Sequence, residues 1–495
     1  MKKKLLYMAL GLVLAQSFTA CETVDFGDTN ENVNGPKEVY PAGLLAGAIE
    51  TFSTMTGRDP FLKPTLYVQY QSQVTYTDEM LYAETPSSWN TYYARILPAL
   101  NQVISYNMDE DNQLDPNLLA QGDPMNQAGV AMIYRAIVLK RLTDTWGDVP
   151  FSEAVQGLKN LTPAYDKQED IYRQLIDDLK AGRDMLDESA SGPKGDLIYG
   201  GDVAKWKKLA NSVLLQASLQ LSEVSSSKIN PAEEFRAALA DPAGVIEDVS
   251  DEAWYKFDAI AEYQNPFNPN RKADYFLSAE FVDAFQGDGG EYNPTSSKTY
   301  DARIEVYSKN PALEGVPYGF NDASGSGKNQ VSPTHFWSAT APLPLMTASY
   351  TYLNRAEAAE RGWTEEVAVE MLTKGIKLSF ESLDTRKEVD IAEDANVYTA
   401  ARLADALRVG MLQVIGEEKW KTLFPQGFDA WAEWRRTGYP NLKPATHYLN
   451  DGGIVRRYLY PIDERTLNAT SFNAGITGLK PATDKNTSRV WWDVD

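Results

Sequence analysis

The sequence has very few of the residues on which most enzymes depend. Among 495 residues there is one cysteine, Cys21, and there are two histidines, His335 and His447. A disulfide bond within the chain is therefore impossible, and a catalytic triad would need one of only two imidazoles. No nucleophile-elbow, zinc-protease, Walker A or dinucleotide-binding motif accompanies them. The residues therefore predict no catalytic site, no metal site and no cofactor.

Positive charge is also scarce. The chain has 47 lysines and arginines against 69 aspartates and glutamates, which gives a formal net charge of −22. Such a surface repels the phosphates of DNA and RNA, so we expect no nucleic acid partner. Carboxylates are so numerous that composition alone leaves a glycosidase pair open. The acidic run Met108 to Asn117 lacks the glycine and the final glutamate of an EF-hand loop, which favours a solvated loop between helices.

Long apolar runs are missing except near the start of the sequence. Lys2 to Lys4 precede the apolar stretch Leu5 to Ala15, which is too short to span a bilayer. We therefore predict a signal peptide over residues 1–20. A large residue, Phe18, stands three positions before Cys21, which resembles a bacterial lipobox rather than an ordinary cleavage site. Cys21 is thus the predicted lipid anchor, and the polar residues 21–38 are predicted to form a flexible tether.

Helical periodicity dominates the rest of the chain, so the predicted fold is mainly α. We expect a helical scaffold over residues 39–240 and 345–435, a loop-rich lobe over residues 241–344 and an irregular tail over residues 436–495. Apolar residues spaced at about 3.6 positions predict one buried helix face each in residues 167–186 and 203–224. One long helix is predicted over residues 88–106 and another over residues 400–424. Consecutive helices with short polar loops indicate stacked antiparallel pairs.

Aromatic residues are plentiful, with 27 tyrosines, 17 phenylalanines and 11 tryptophans, and many lie in segments that read as loops. Aromatic faces pack against the C–H faces of sugar rings and against peptide side chains, and they give contact area at a low cost in entropy. We therefore expect a recognition surface of exposed rings. The candidate ligand-binding residues are Tyr76, Tyr82, Trp89, Trp254, Tyr255, Tyr292, Tyr300 and Trp337.

Several segments together resemble one known family. They include "AMIYRAIVLKRLTDTWGDVPFSEA" from Ala131, "GDVAKWKKLANSVLLQASLQLS" from Gly201, "SAEFVDAF" from Ser278, "FDAWAEWRRTGYPNL" from Phe428 and "RRYLYPIDERTLNATSF" from Arg456. In this order, behind a lipobox, they resemble the SusD/RagB-like surface lipoproteins of Bacteroidetes, and in particular their second SusD-like subgroup. The resemblance extends over nearly the whole chain.

The resemblance implies a fold, a location and a function. Members of the family have four tetratricopeptide-like helix pairs beneath a loop-rich lobe. They are lipid-anchored on the outer face of the outer membrane, bind oligomeric nutrients and cap a SusC-like TonB-dependent transporter without acting as enzymes. Glycans are the expected ligand. A peptide ligand, a glycoside hydrolase that uses two carboxylates and a purely structural scaffold remain as alternatives.

Overall fold

The computed structural model describes residues 40–55, 62–260, 263–268, 272–287, 290–384 and 391–494. The predicted signal peptide, the tether and Cys21 lie outside these residues. From Pro41 onward the described residues form one compact unit. The division of that unit into scaffold, lobe and tail stays a prediction. None of the described helices is long and apolar enough to cross a lipid bilayer.

The fold is mainly α-helical, as predicted. The helices of the first half are α1 (Pro41–Met55), α2 (Lys63–Tyr67), α3 (Leu97–Met108), α4 (Pro116–Leu119), α5 (Pro124–Trp146), α6 (Gln168–Met185), α7 (Val203–Gln220) and α8 (Pro231–Leu239). Those of the second half are α9 (Ala279–Gln286), α10 (Ile304–Tyr307), α11 (Ala348–Glu360), α12 (Ala368–Asp384), α13 (Asp394–Val409), α14 (Met411–Thr422), α15 (Gly427–Thr437), α16 (Glu464–Leu467) and α17 (Ala469–Ile476).

Within the described ranges, six short strands form three antiparallel pairs. They are β1 (Gln71–Gln73), β2 (Val149–Pro150), β3 (Tyr165–Asp166), β4 (Ala253–Tyr255), β5 (Tyr275–Leu277) and β6 (Leu343–Met346). Strand β1 pairs with β5, β2 with β3 and β4 with β6. The β1–β5 pair therefore joins the loop-rich segment to an earlier part of the chain, whereas the β4–β6 pair brings the two ends of that segment together.

The helix ends follow from local chemistry. The Asp123 carboxylate accepts the backbone N–H groups of Met125 and Asn126 at the start of α5, and Gly147 with a φ of 94° ends that helix. The single helix predicted over residues 400–424 is wrong. Gly410 has a φ of 101°, a conformation that other residues rarely adopt, and it divides the segment into α13 and α14. A helix is present near the predicted residues 88–106, and it contains a π-helical turn, Tyr92–Ile96, directly ahead of α3.

Neighbouring helices pack in pairs along the chain, α5 against α6, α7 against α8 and α11 against α12. Glycines permit a close approach of α5 and α6. A Cβ atom on Gly129 would lie 2.7 Å from the Gly182 carbonyl oxygen, and one on Gly182 would lie 2.7 Å from that of Gly129. The backbones of α5 and α6 therefore touch at this pair of glycines.

Helix α9 is fixed to the scaffold by aromatic packing. The Phe281 ring lies 4.8 Å from the Phe424 ring and 5.5 Å from the Trp420 ring, measured between centroids. One turn later, the Phe285 ring lies 5.6 Å from the Tyr307 ring. Both phenylalanines are fully buried, so the opposite side of α9 is held in a defined position.

Candidate functional site

Four of the eight aromatic residues predicted for a recognition surface are buried. Tyr82, Trp89, Tyr255 and Trp337 are each at most 4% exposed. The exposure predicted for these four rings is therefore wrong, and in this structure they present no ring face to a ligand.

Long-range packing explains this burial. The Trp89 ring makes edge contacts with Trp146 and Tyr460 at centroid distances of 5.8 and 5.9 Å. The Tyr82 hydroxyl accepts the backbone N–H of Ala445 at 3.1 Å. These partners lie far away in the sequence, so the residues next to Tyr82 and Trp89 do not indicate that the two rings are buried.

The other four predicted residues reach the surface to different degrees. Tyr76, Tyr300 and Tyr292 are exposed, whereas Trp254 is half-buried and its indole N–H donates to the Glu252 carboxylate at 2.9 Å. Trp254 borders a cavity of only about 20 Å³, far below the roughly 300–1,000 Å³ that is typical of small-ligand sites. The ligand-binding role of these four residues stays a prediction.

Tyr292 alone among the eight lines a cleft of about 580 Å³. This volume falls within the range of about 300–1,000 Å³ that is typical of small-ligand sites. We call it the Tyr292 cleft. It is lined by Ala279, Val282, Asp283, Gln286, Glu291, Tyr292, Pro311, Ala312, Leu313, Glu314, Gly315, Pro317 and Lys328.

One face of α9 forms the first wall of the cleft. Ala279, Val282, Asp283 and Gln286 follow a spacing of three and four residues, which places them on one side of the helix. The Ser278 hydroxyl caps the helix by accepting the Phe281 N–H at 2.9 Å. The Asp283 carboxylate accepts the backbone N–H of Tyr292 at 2.9 Å, which fastens the tyrosine to this wall.

The segment 311–317 forms the opposite wall and is tied to α9 through its backbone. The Ala279 N–H donates to the Val316 carbonyl at 2.8 Å, and the Val316 N–H donates to Leu277 at 2.9 Å. Gly315 permits this approach, because a Cβ atom there would lie 2.2 Å from the Ser278 carbonyl oxygen. The buried Asn329 supports the same wall, since its side-chain amide donates to the Leu313 carbonyl at 3.1 Å.

The cleft combines an apolar lining with a small number of polar groups, as binding sites usually do. Burial raises the pKa of the Asp283 carboxyl, and the nearby Glu314 and Glu291 carboxylates raise it further. Partial burial also raises the pKa of the Tyr292 hydroxyl, again with help from neighbouring carboxylates. The phenol is therefore protonated at neutral pH and is available as a hydrogen-bond donor.

Sequence reasoning found Tyr292 but missed the rest of the cleft. Asp283 lies in the segment from Ser278 to Phe285 that carries part of the family resemblance, and Gln286 directly follows that segment, yet no role was predicted for either residue. Lys328 and Glu314 lie in a glycine-rich and proline-rich stretch with no periodicity. The sequence does contain a pattern that could have indicated this wall. Asp283 and Gln286 lie three residues apart and form a polar helix face, whereas Phe281 and Phe285 form an apolar one.

A second exposed surface lies where three loops meet, and we call it the loop junction. Leu449 donates its N–H to the Leu81 carbonyl at 2.7 Å, and His447 donates its N–H to the Gly319 carbonyl at 3.0 Å. Tyr448 is exposed here, and the loop of Leu81 begins near the exposed Tyr76. The His447 Nδ1 atom lies 2.8 Å from the Asn321 side-chain oxygen. The junction has exposed rings, but none of the residues named here lines the Tyr292 cleft.

No group of three or more histidine, cysteine, aspartate or glutamate side chains in the described ranges is arranged to hold a metal ion.

Glu280, beside the cleft, predicts a pH dependence of stability. Burial raises the pKa of its carboxyl from 4.5 to about 7, against the opposing effect of the Tyr318 N–H that it accepts. The folded protein therefore binds this proton more tightly than the unfolded chain, and stability falls as pH rises from about 4.5 to 7. Glu280→Gln should flatten that fall in chemical unfolding curves measured across this range. An unchanged slope in the variant would contradict the assignment to Glu280.

The family model for SusD-like proteins, described as starch-binding and associating with the outer membrane, matches residues 33–461. The chain belongs to this SusD-like family. No curated protein matches the sequence. Solved structures do. A chitin-binding protein is 26% identical with a TM-score of 0.76, and the match covers 92% of this chain and 100% of that one.

Two further SusD homologues show the same fold. One from Bacteroides fragilis is 22% identical with a TM-score of 0.73, and the match covers 92% of this chain and 99% of that one. A chitin-binding SusD homologue from Flavobacterium johnsoniae is also 22% identical, with a TM-score of 0.68 and the same two coverages. At these identities the likeness concerns the fold, and it agrees with the resemblance found in the sequence.

Proposed function

We propose that this SusD-like protein binds oligomeric glycans in the Tyr292 cleft and delivers them to a SusC-like TonB-dependent transporter. In this proposal it is held on the cell-surface face of the outer membrane by acyl chains on Cys21. It acts by binding and carries out no catalysis. The proposal combines a location predicted from the sequence with a cleft described in the structure.

The observation that carries the proposal is an exposed tyrosine ring at a cleft large enough for a sugar ring. The apolar side chains of Pro311, Leu313 and Pro317, which are partly exposed, supply a surface for the C–H face of a sugar. The Asp283 carboxylate, the Gln286 amide and the Tyr292 hydroxyl offer acceptors and donors for its hydroxyl groups. The chitin-binding relative and the starch-binding description of the family both support a polysaccharide as the ligand class.

The proposals of a transporter partner and of a lipid anchor rest on different observations. The partnership comes from the family, whose members are described as associating with the outer membrane. The anchor comes from Phe18, Ala20 and Cys21 in the sequence. A peptide ligand remains the second candidate, because aromatic and acidic groups also suit peptide side chains.

Tyr292→Ala should weaken glycan binding by about 1–2 kcal/mol, or roughly five- to thirtyfold, because the variant loses the ring face and the hydroxyl together. Isothermal titration with neutral oligosaccharides, including oligomers of N-acetylglucosamine and of glucose, measures this directly. Oligopeptides of similar length form the second panel.

Tyr263→Ala is the matched control, since Tyr263 is exposed but does not line the cleft. Equal losses in both variants would place the site elsewhere. If the wild-type protein binds no member of either panel, a structural scaffold would be favoured. Release of shorter products from the glycans would contradict the non-catalytic role.

A further inference from the structure

Negative charge dominates the Tyr292 cleft. Three carboxylates, those of Asp283, Glu291 and Glu314, line it together with one cation, Lys328. The Lys328 ammonium forms an ion pair with Glu314 at 2.7 Å, so that the single cation is already engaged. The Glu280 carboxylate lies close enough to raise the pKa of Tyr292 as well. The lining therefore carries an excess of at least two negative charges when its carboxylates are ionised.

The other carboxylates are not neutralised within the cleft. Asp283 accepts a backbone N–H, that of Tyr292, and its half-buried side chain faces the Glu314 and Glu291 carboxylates. The structure shows no ion pair for Glu291 within the described part of the chain. A cation that entered the cleft would relieve the repulsion between these groups, whereas an anion would increase it.

We propose that the Tyr292 cleft selects glycans by charge, preferring saccharides that bear protonated amines, accepting neutral ones and rejecting those that bear uronate or sulfate groups. This inference rests on the proposed function of the cleft. It narrows the ligand class from glycans in general to neutral and amino glycans. Asp283, Glu291 and Glu314 are the residues that determine this specificity.

The size of the effect follows from the partial exposure of the cleft. Charges that are well solvated interact weakly, and burial strengthens their interaction several-fold. Asp283 is half-buried, whereas Glu291 and Glu314 are exposed. We therefore expect an amino oligosaccharide to bind about three- to tenfold more tightly than its neutral counterpart, and an acidic one to bind at least tenfold more weakly. Added salt should reduce these differences in affinity, because it screens the exposed carboxylates.

Three oligosaccharides of equal length test the proposal in the full protein. The neutral probe is an oligomer of N-acetylglucosamine, the cationic probe is the same oligomer after deacetylation, and the anionic probe is an oligomer of galacturonate. Titrations are run at a slightly acidic pH, at which the amines are protonated and the uronates are ionised. The expected order of affinity is cationic, then neutral, then anionic.

The double variant Glu291→Gln/Glu314→Gln keeps the shape of the lining but removes two negative charges and frees Lys328. It should bring the three affinities to within about twofold of one another. The matched control is Glu110→Gln/Asp111→Asn, which removes two exposed carboxylates that do not line the cleft. This control should keep the wild-type order and so exclude an effect of net charge alone.

The outcomes separate this inference from the function on which it rests. If none of the three probes binds, the proposed function itself fails. If the neutral probe binds and the cationic probe binds no more tightly, charge selection is overturned while glycan binding stands. An equal loss of selectivity in the control variant would also overturn it, because the selectivity would then come from the whole protein surface.

Discussion

Replacing Arg303 with methionine should lower the free energy of unfolding by about 3–5 kcal/mol, because it leaves buried carboxylates without their partner. The Arg303 guanidinium donates to the Asp301 carboxylate at 2.7 Å and to the Glu418 carboxylate at 2.7 Å. All three side chains are fully buried. Burial alone would raise the pKa of Asp301, but Arg303 and Lys421 hold it well below its usual range.

This arginine belongs to a buried ion-pair network that joins the loop-rich segment to the helices. Its members with fully buried side chains are Asp301, Arg303, Arg402, Glu417, Glu418 and Lys421, and Asp405 extends it through an ion pair with Arg402. The Lys421 ammonium also donates to the Ala284 carbonyl on α9 at 2.7 Å, so that the network supports the helix that lines the Tyr292 cleft. The loss of Arg303 should therefore weaken the attachment of the cleft as well as the fold.

Urea unfolding followed by circular dichroism measures the effect. Arg173→Met is the control, because Arg173 pairs with Asp170 at the surface and exposed pairs contribute only about 0–1 kcal/mol. Equal midpoints for the two variants would show that the buried network contributes no more than a surface ion pair.

The second large effect concerns the anchor. Cys21→Ala should abolish attachment to the membrane, since acylation requires the thiol and several acyl chains hold a protein at a bilayer almost permanently. The variant should leave the detergent phase in phase partitioning and should lose incorporation of labelled palmitate. Ser17→Ala, within the same leader, should remain anchored. Retention of label and of detergent partitioning in the Cys21 variant would refute the lipid anchor.

Helices were predictable in segments whose apolar residues fall on one face of the helix that the segment would form. In α6, the predicted core positions Ile171, Leu175, Ile176 and Leu179 are all buried. A period of 3.6 residues is a local property, so a short window of sequence contains the whole signal.

Burial of polar and aromatic residues in other segments was not predictable, because it depends on distant partners. Glu417, Glu418, Lys419 and Lys421 carry side chains that are rarely buried in proteins, yet all four are fully buried. Their counterions include Arg303, Arg402 and Glu357, which lie in three other elements. Trp89 was misplaced for the same reason, since its packing partners include Tyr460, far along the chain.

The cleft could be predicted only in part. Its first wall is a capped amphipathic helix that local sequence indicates, and Tyr292 was a candidate from its loop context. The second wall, residues 311–317, joins the first through the backbone of Val316 and the close approach at Gly315. Such long-range backbone contacts leave no pattern in a single sequence.

The measurement that tests the account most directly is a crystal structure of the protein with a bound neutral oligosaccharide. The account predicts a sugar ring stacked on Tyr292, with its hydroxyl groups within hydrogen-bonding distance of Asp283 or Gln286. A saccharide bound at the loop junction of Tyr76 and Tyr448, with the Tyr292 cleft left empty, would contradict it.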